Sequence, residues 1–123
     1  VPIAYGLAWP DRIESGASAL DFTQLSALTF EPADAARYPG LQLAWQTLND
    51  AAGSTAVLNA ANEVAVAEFL RGALRFDQIH LVNVGALERT PIDAGAVRSL
   101  EGLLALDEQA RRVAADVAKE LAC

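Results

Sequence analysis

The chain has 123 residues, 53% of them hydrophobic and 20% charged, with a net charge of −7 and one cysteine. That balance belongs to a globular domain rather than a disordered segment, and the length can bury a core without metal or disulfide. Nine scattered basic residues, with only Arg111 and Arg112 adjacent, argue against nucleic-acid or anionic-membrane binding, which needs clustered cations to displace counterions.

The N-terminal VPIAYGLAW is compact and aromatic, and Pro10 ends or kinks whatever precedes it. It lacks the basic stretch and cleavage signature of a signal peptide, and no apolar run in the chain approaches the roughly 18 residues that span a bilayer. Residues 11–20 read as a loop with a turn at Ser15-Gly16. In LDFTQLSALTF, Phe22 and Gln24 share one face of an extended chain and Leu28 and Phe30 another. Residues 27–31 are expected to form a short strand, which Pro32 stops because it has no N–H for a ladder.

From Pro39 onward the pattern is helical. Pro39 suits a first turn, and Leu41, Ala44, Trp45 and Leu48 fall at helical spacing up to Ala51-Ala52-Gly53. Ser54 or Thr55 is expected to cap a second helix running to about Arg71 and stopping at Gly72. Phe76, Ile79, Val82 (or Val84) and Leu87 mark a third, capped at Asp77 or nearby. Pro91 opens a linker with Gly95, and Ser99 precedes the last stretch. Leu100, Leu103, Leu104, Val113, Val117 and Leu121 are the apolar positions of the last stretch, in which Asp107 suits the cap of a final helix of about fifteen residues. No internal repeat or low-complexity tract is visible. The fold class expected is mainly α: a C-terminal bundle of four or five helices, residues 39–123, preceded by a strand-containing strip, residues 1–38.

Chemistry-bearing residues are few. Asn59, Asn62 and Glu63 lie three and four apart and share a helix face. Amides with one carboxylate make a poor transition-metal site, so a metal-dependent hydrolase built on Asn59, Glu63 and His80 ranks last. Buried amides that satisfy the backbone groups of a neighbouring loop or helix end are the simpler reading, because unpaired burial costs a few kcal/mol. His80, the lone histidine, has Asp77 three residues back as a possible orienting partner. Ser15, Ser18, Ser26, Ser54 and Ser99 show no GxSxG elbow, and the phosphate-cradling glycine loops GxGxxG and GxxxxGK are absent. Glu31 with Asp34, and Asp107 with Glu108, read as turn and cap residues. Trp9 and Trp45 read as core or interface anchors. Cys123 cannot form an internal disulfide, which fits a reducing compartment, and a terminal thiol is more simply frayed than reactive. The lack of methionine fits a processed product or an internal piece of a longer protein.

Three blocks in order, PIAYGLAWPDRIESGASALDFTQLSALTFEPAD, RYPGLQLAWQTL and AVLNAANEVAVAEFLRGALRFDQI, resemble the C-terminal portion of 1-deoxy-D-xylulose-5-phosphate reductoisomerases. A weaker likeness continues through SLEGLLALDEQARRVAADVAKEL. One departure is Gly40 after Tyr38-Pro39, where relatives often carry cysteine. The resemblance implies a parent enzyme of non-mevalonate isoprenoid biosynthesis, a cytoplasmic homodimer that uses NADPH and a divalent cation (Mg, Mn or Co). It implies that residues 1–38 are the tail of an α+β central catalytic and dimerising domain, and that residues 39–123 are a helical domain. The family's nucleotide loop, acidic metal ligands, phosphate-holding residues and lid have no counterpart in this sequence. No catalytic, cofactor-binding or metal residue is therefore expected in the chain, which should bind no cofactor alone and act as structural support beside the remainder of the parent. A helical protein–protein interaction module is the rival reading.

Overall fold

The computed structural model describes residues 2–25 and 27–122, with only the backbone given at Ala96. Ser26 and Cys123, both weighed above for chemistry, lie outside the described residues. The chain divides into two compact units, Val1–Pro32 and Ala33–Cys123.

The first unit opens with helix α1, Pro2–Ala8. Tyr5 and Trp9 meet edge to face at 5.5 Å, and the Arg12 guanidinium lies 5.1 Å from the Tyr5 ring centre. Asp21 organises a turn by accepting from the Thr23 amide at 2.9 Å, the Thr23 hydroxyl at 2.6 Å and the Gln24 side chain at 2.9 Å. None of the described residues of this unit is buried. Residues 27–31, expected as a strand, form neither helix nor strand. A strand exists only as half of a ladder, and the described residues supply no second strand to pair with it.

The second unit is a bundle of α2 (Pro39–Asn49), α3 (Ser54–Leu70), α4 (Phe76–Arg89) and α5 (Leu100–Leu121), with one 3-10 turn at Ala96–Arg98. Helix α3 is central and touches each of the other three. It is apolar most of the way round, the composition a helix needs when neighbours cover several of its sides. One core layer joins Ala61 and Ala65 of α3, Val82 and Ala86 of α4, and Ala114, Val117 and Ala118 of α5, with Leu74 from the α3–α4 corner. A second layer joins Val57 and Ala60 to Leu106 and Ala110, closed by Leu87, Ile92 and Val97. Alanine dominates both layers, so helix axes approach closely and Gly85 faces Val117 where a Cβ would sit 3.0 Å from its methyl group.

Local chemistry sets the helix ends. Pro39 lies in the first turn of α2, and Asn49 donates to the Trp45 carbonyl at 2.8 Å at its end. Helix α3 starts from Gly53, at φ +101°, and not from a Ser54 or Thr55 cap; Ser54 is already inside the helix and buried. Its C-terminus closes through two crossed bonds, Gly72 N–H to the Phe69 carbonyl and Ala73 N–H to that of Glu68, both 2.9 Å, with Gly72 at φ +77°. At α4 the cap is Arg75 rather than Asp77: the Gln78 side chain accepts from the Arg75 amide at 2.7 Å and donates to the Leu121 carbonyl at 2.8 Å, joining the start of α4 to the end of α5. Helix α5 is 22 residues long, not fifteen. Ser99 is its cap, accepting from the Gly102 amide at 3.0 Å, while Asp107 lies mid-helix and bonds Arg111. Trp9 and Trp45 are not core residues, being 70% and 63% exposed.

The two left-handed glycines of the bundle separate backbone strain from packing. At Gly72 an added Cβ meets nothing within 4 Å, whereas at Gly53 it meets Leu106 and Val97 at 2.9 Å. Gly72→Ala should cost about 1 kcal/mol from φ alone, and Gly53→Ala about 2–4 kcal/mol because the second core layer must also shift. Urea unfolding of both variants checks this, and equal losses would refute the packing contribution.

Candidate functional site

The polar side chains of α3 gather on the flanks of its alanine seam. Val57, Ala61 and Ala65 are spaced by four and face the core. Asn59, Asn62 and Glu63 lie off that stripe and are exposed. They are therefore not the buried amides expected from the sequence, and their bonds go to side chains rather than to a neighbouring backbone.

Asn59 donates to one Glu63 oxygen at 3.2 Å, and Arg111 of α5 donates to the other at 2.7 Å. The same guanidinium holds Asp107 through two bonds, 2.7 and 3.2 Å, one turn back on α5. Arg111 thus bridges α3 and α5 with a carboxylate on each side. Its hydrogen bonds to Asp107 and then Glu63 raise its affinity for its proton, and the Arg111 bond holds the Glu63 carboxyl below the usual range, assisted by Asn59. Asn62 bonds across to α4, accepting from Asn83 at 3.2 Å. Asn83 is buried, and its own carbonyl oxygen has no partner. Beside this amide pair runs a groove of about 560 Å³ between α2 and α3, lined by Leu43, Leu48, Leu58, Asn59 and Asn62 among others.

His80 lies elsewhere. It lines a separate groove of about 340 Å³ between α2 and α4, with Gln42, Gln46, Asp50 and Glu88. Its Nδ1 is buried without a partner. Asp77, the expected orienting carboxylate, is held by Arg75 instead, at 3.0 and 2.7 Å, and that contact keeps its carboxyl below the usual range. The structure therefore brings Asn59 and Glu63 together but does not add His80 to them. Arg111 and Asn83 are the partners that sequence reasoning missed. Arg111 had a signal, since it follows Asp107 by four residues on one helix. Asn83 had a weaker one, a lone amide between Val82 and Val84.

This arrangement can bind helices to one another, but it is poorly equipped for chemistry. Among the described residues, no group of three or more His, Cys, Asp or Glu side chains could hold a metal ion. Where Glu63 and Asp107 converge, a guanidinium already sits between them, so that donor set does not fit a resident divalent cation. A general-base role for His80 would need a partner to orient its ring, and Asp77 is turned to Arg75 instead. No helix of the described residues is long and apolar enough to cross a membrane.

The Arg111 bridge makes a pH prediction. Glu63 has a folded-state value below its ordinary 4.5, so its contribution to stability is complete above that value and is lost as pH falls through the depressed one. Arg111→Ala should lower Tm near neutrality, and the gap to the unaltered chain should shrink as pH falls from about 5 to about 3. Thermal melts across that range check this, and a gap that persists undiminished in acid would refute it.

Comparison with known proteins places these helices. Residues 1–113 match the family described as DXP reductoisomerase C-terminal domain. The chain is 50% identical over 113 residues to the 1-deoxy-D-xylulose 5-phosphate reductoisomerase of Cupriavidus pinatubonensis, covering 92% of this chain and 28% of that protein. It is also 50% identical over 111 residues to the Cupriavidus metallidurans enzyme, covering 90% and 28%. Among solved structures, the Zymomonas mobilis enzyme in complex with NADPH superposes with a TM-score of 0.81 at 40% identity, over 96% of this chain and 31% of that one. A reductoisomerase with fosmidomycin and magnesium superposes with a TM-score of 0.85 at 32% identity, over 98% and 32%. The chain thus spans less than a third of the relatives it matches. On sequence and on fold, it belongs to the DXP reductoisomerase C-terminal domain family.

Proposed function

We propose that this chain is the C-terminal portion of a 1-deoxy-D-xylulose 5-phosphate reductoisomerase and serves it as structural support rather than as a source of reacting groups. The parent would be an NADPH-dependent enzyme converting 1-deoxy-D-xylulose 5-phosphate to 2-C-methyl-D-erythritol 4-phosphate. It would use a divalent cation, as relatives are seen with NADPH and with magnesium, and would act as a cytoplasmic homodimer. The single observation that carries this reading is a 50% identity over 113 residues that accounts for only 28% of the relative. The chemistry of the chain agrees with it. Its convergent carboxylates are neutralised by Arg111, and it has neither a glycine-rich phosphate loop nor a cluster of basic residues to receive a dinucleotide. Residues 1–38 would complete the central catalytic domain and residues 39–123 would form the helical domain beside it.

Calorimetric titration of the 123-residue chain with NADPH and magnesium should give no binding heat, and the chain alone should not oxidise NADPH in the presence of substrate. Joining it to the preceding portion of the Cupriavidus pinatubonensis relative should give an active enzyme. Micromolar NADPH binding by the chain alone would reject the assignment of a supporting role.

A second reading, a helical module that binds another protein, has its own motivation in the first unit. Ile3, Leu7, Trp9, Phe22, Leu28 and Phe30 are 70–88% exposed there, an apolar display that a free chain would tend to cover. The isolated chain should therefore self-associate through residues 1–38, and a chain lacking them should be monomeric. Light scattering at high concentration separates these outcomes; a clean monomer with residues 1–38 ordered would remove this reading.

A further inference from the structure

Helix α2 is the least covered helix of the bundle. Thr47 is its one buried residue, and Gln42 and Gln46 line the groove toward α4. Leu43 is half-buried and lines the same groove, but the other large apolar side chains are exposed. Tyr38, Leu41, Trp45 and Leu48 follow at intervals of three, four and three, so they form one continuous stripe, 50%, 52%, 63% and 65% exposed. At the N-terminal end of the stripe, a depression of about 200 Å³ lies between Tyr38, Leu41 and Trp45, with Asp34 and Gln42 on its rim, room for one large side chain. The Arg37 guanidinium lies 5.4 Å from the centre of the Tyr38 ring at the same end.

We infer that this stripe is the surface on which the bundle docks against the preceding portion of the reductoisomerase polypeptide, which would present an apolar patch with one side chain seated in the depression. The inference rests on the function proposed above. Area decides between this occupant and a second copy of the chain. The four side chains expose on the order of 450 Å², about half of the ~800 Å² per partner that a free-standing complex needs. A patch of that size holds only when the two sides are already linked, because a tether raises the effective concentration to the millimolar range. The relatives provide such a linked partner, since about 72% of the Cupriavidus pinatubonensis polypeptide has no counterpart in this chain. A covered stripe also explains why a tryptophan and two leucines persist at exposed positions of one helix.

Hydroxyl-radical footprinting of Trp45 tests this, comparing the 123-residue chain with the same chain joined to the preceding portion of the Cupriavidus pinatubonensis relative. Labelling of Trp45 should be about fivefold slower in the joined protein, the change expected when most of its exposed area leaves water. The double variant Leu41→Glu with Trp45→Glu should lower the Tm of the joined protein and leave that of the chain alone nearly unchanged, which separates docking from folding of the bundle. Labelling of the joined protein as fast as that of the chain alone overturns the docking surface, whether or not the joined protein turns over substrate. Protection of Trp45 without turnover keeps the docking surface and counts against the proposed function. Protection that appears in the chain alone as its concentration rises, together with a dimer in light scattering, assigns the stripe to a second copy and overturns the inference.

Discussion

Close approach between alanine surfaces is the constraint on which the bundle depends. Ala60, Ala61 and Ala65 on α3, Ala86 on α4, and Ala110, Ala114 and Ala118 on α5 are all essentially sealed from solvent. Each methyl group contributes little apolar area, so the interior cannot rely on bulk. It relies on many short contacts between backbones brought near one another, which only small side chains permit. The larger core residues then act as spacers of defined size. Val117 fits against Gly85, and Leu106, Val97 and Ile92 fit against Gly53, at distances that leave no room for a further carbon.

The polar groups follow from that geometry. Once the alanine stripe of α3 faces inward, Asn59, Asn62 and Glu63 must emerge along its edges, where α4 and α5 pass nearby. There they find Asn83 and Arg111. An exposed ion pair of this kind adds modest stability, because water screens it and two long side chains lose freedom to make it. Its value is in register: Arg111 can reach Glu63 and Asp107 together only when α3 and α5 are aligned as they are.

Much of this was legible in the sequence, and the failures have physical causes. Pro39, Gly72 and the apolar spacings between them located α2, α3 and α4 to within a residue or two, because proline and glycine act on the backbone locally. The start of α5 was misplaced by preferring Asp107 over Ser99 as its cap. Both residue types cap helices, and the helix already running from Leu100 under the Ser99 cap puts Asp107 in its interior. The strand expected at 27–31 has suitable residues but no ladder partner among the described residues. For the polar trio, helical spacing correctly put Asn59 beside Glu63. It could not say which side of the helix would be covered, nor that partners 21 and 48 residues away would complete the set. Those contacts depend on how whole helices pack, which no local pattern encodes.

The far end of α5 is fastened twice. Gln78 donates to the Leu121 carbonyl, and Arg89 grips Glu120 through both carboxylate oxygens at 2.8 and 2.9 Å. Terminal turns of long helices ordinarily fray, since their last carbonyls lack partners. Here the last turn is clamped to both ends of α4, so the closing segment of the fold behaves as a latch. Loss of that turn would free Gln78 at the start of α4 and Arg89 at its end, while the α3–α4 core contacts stay in place.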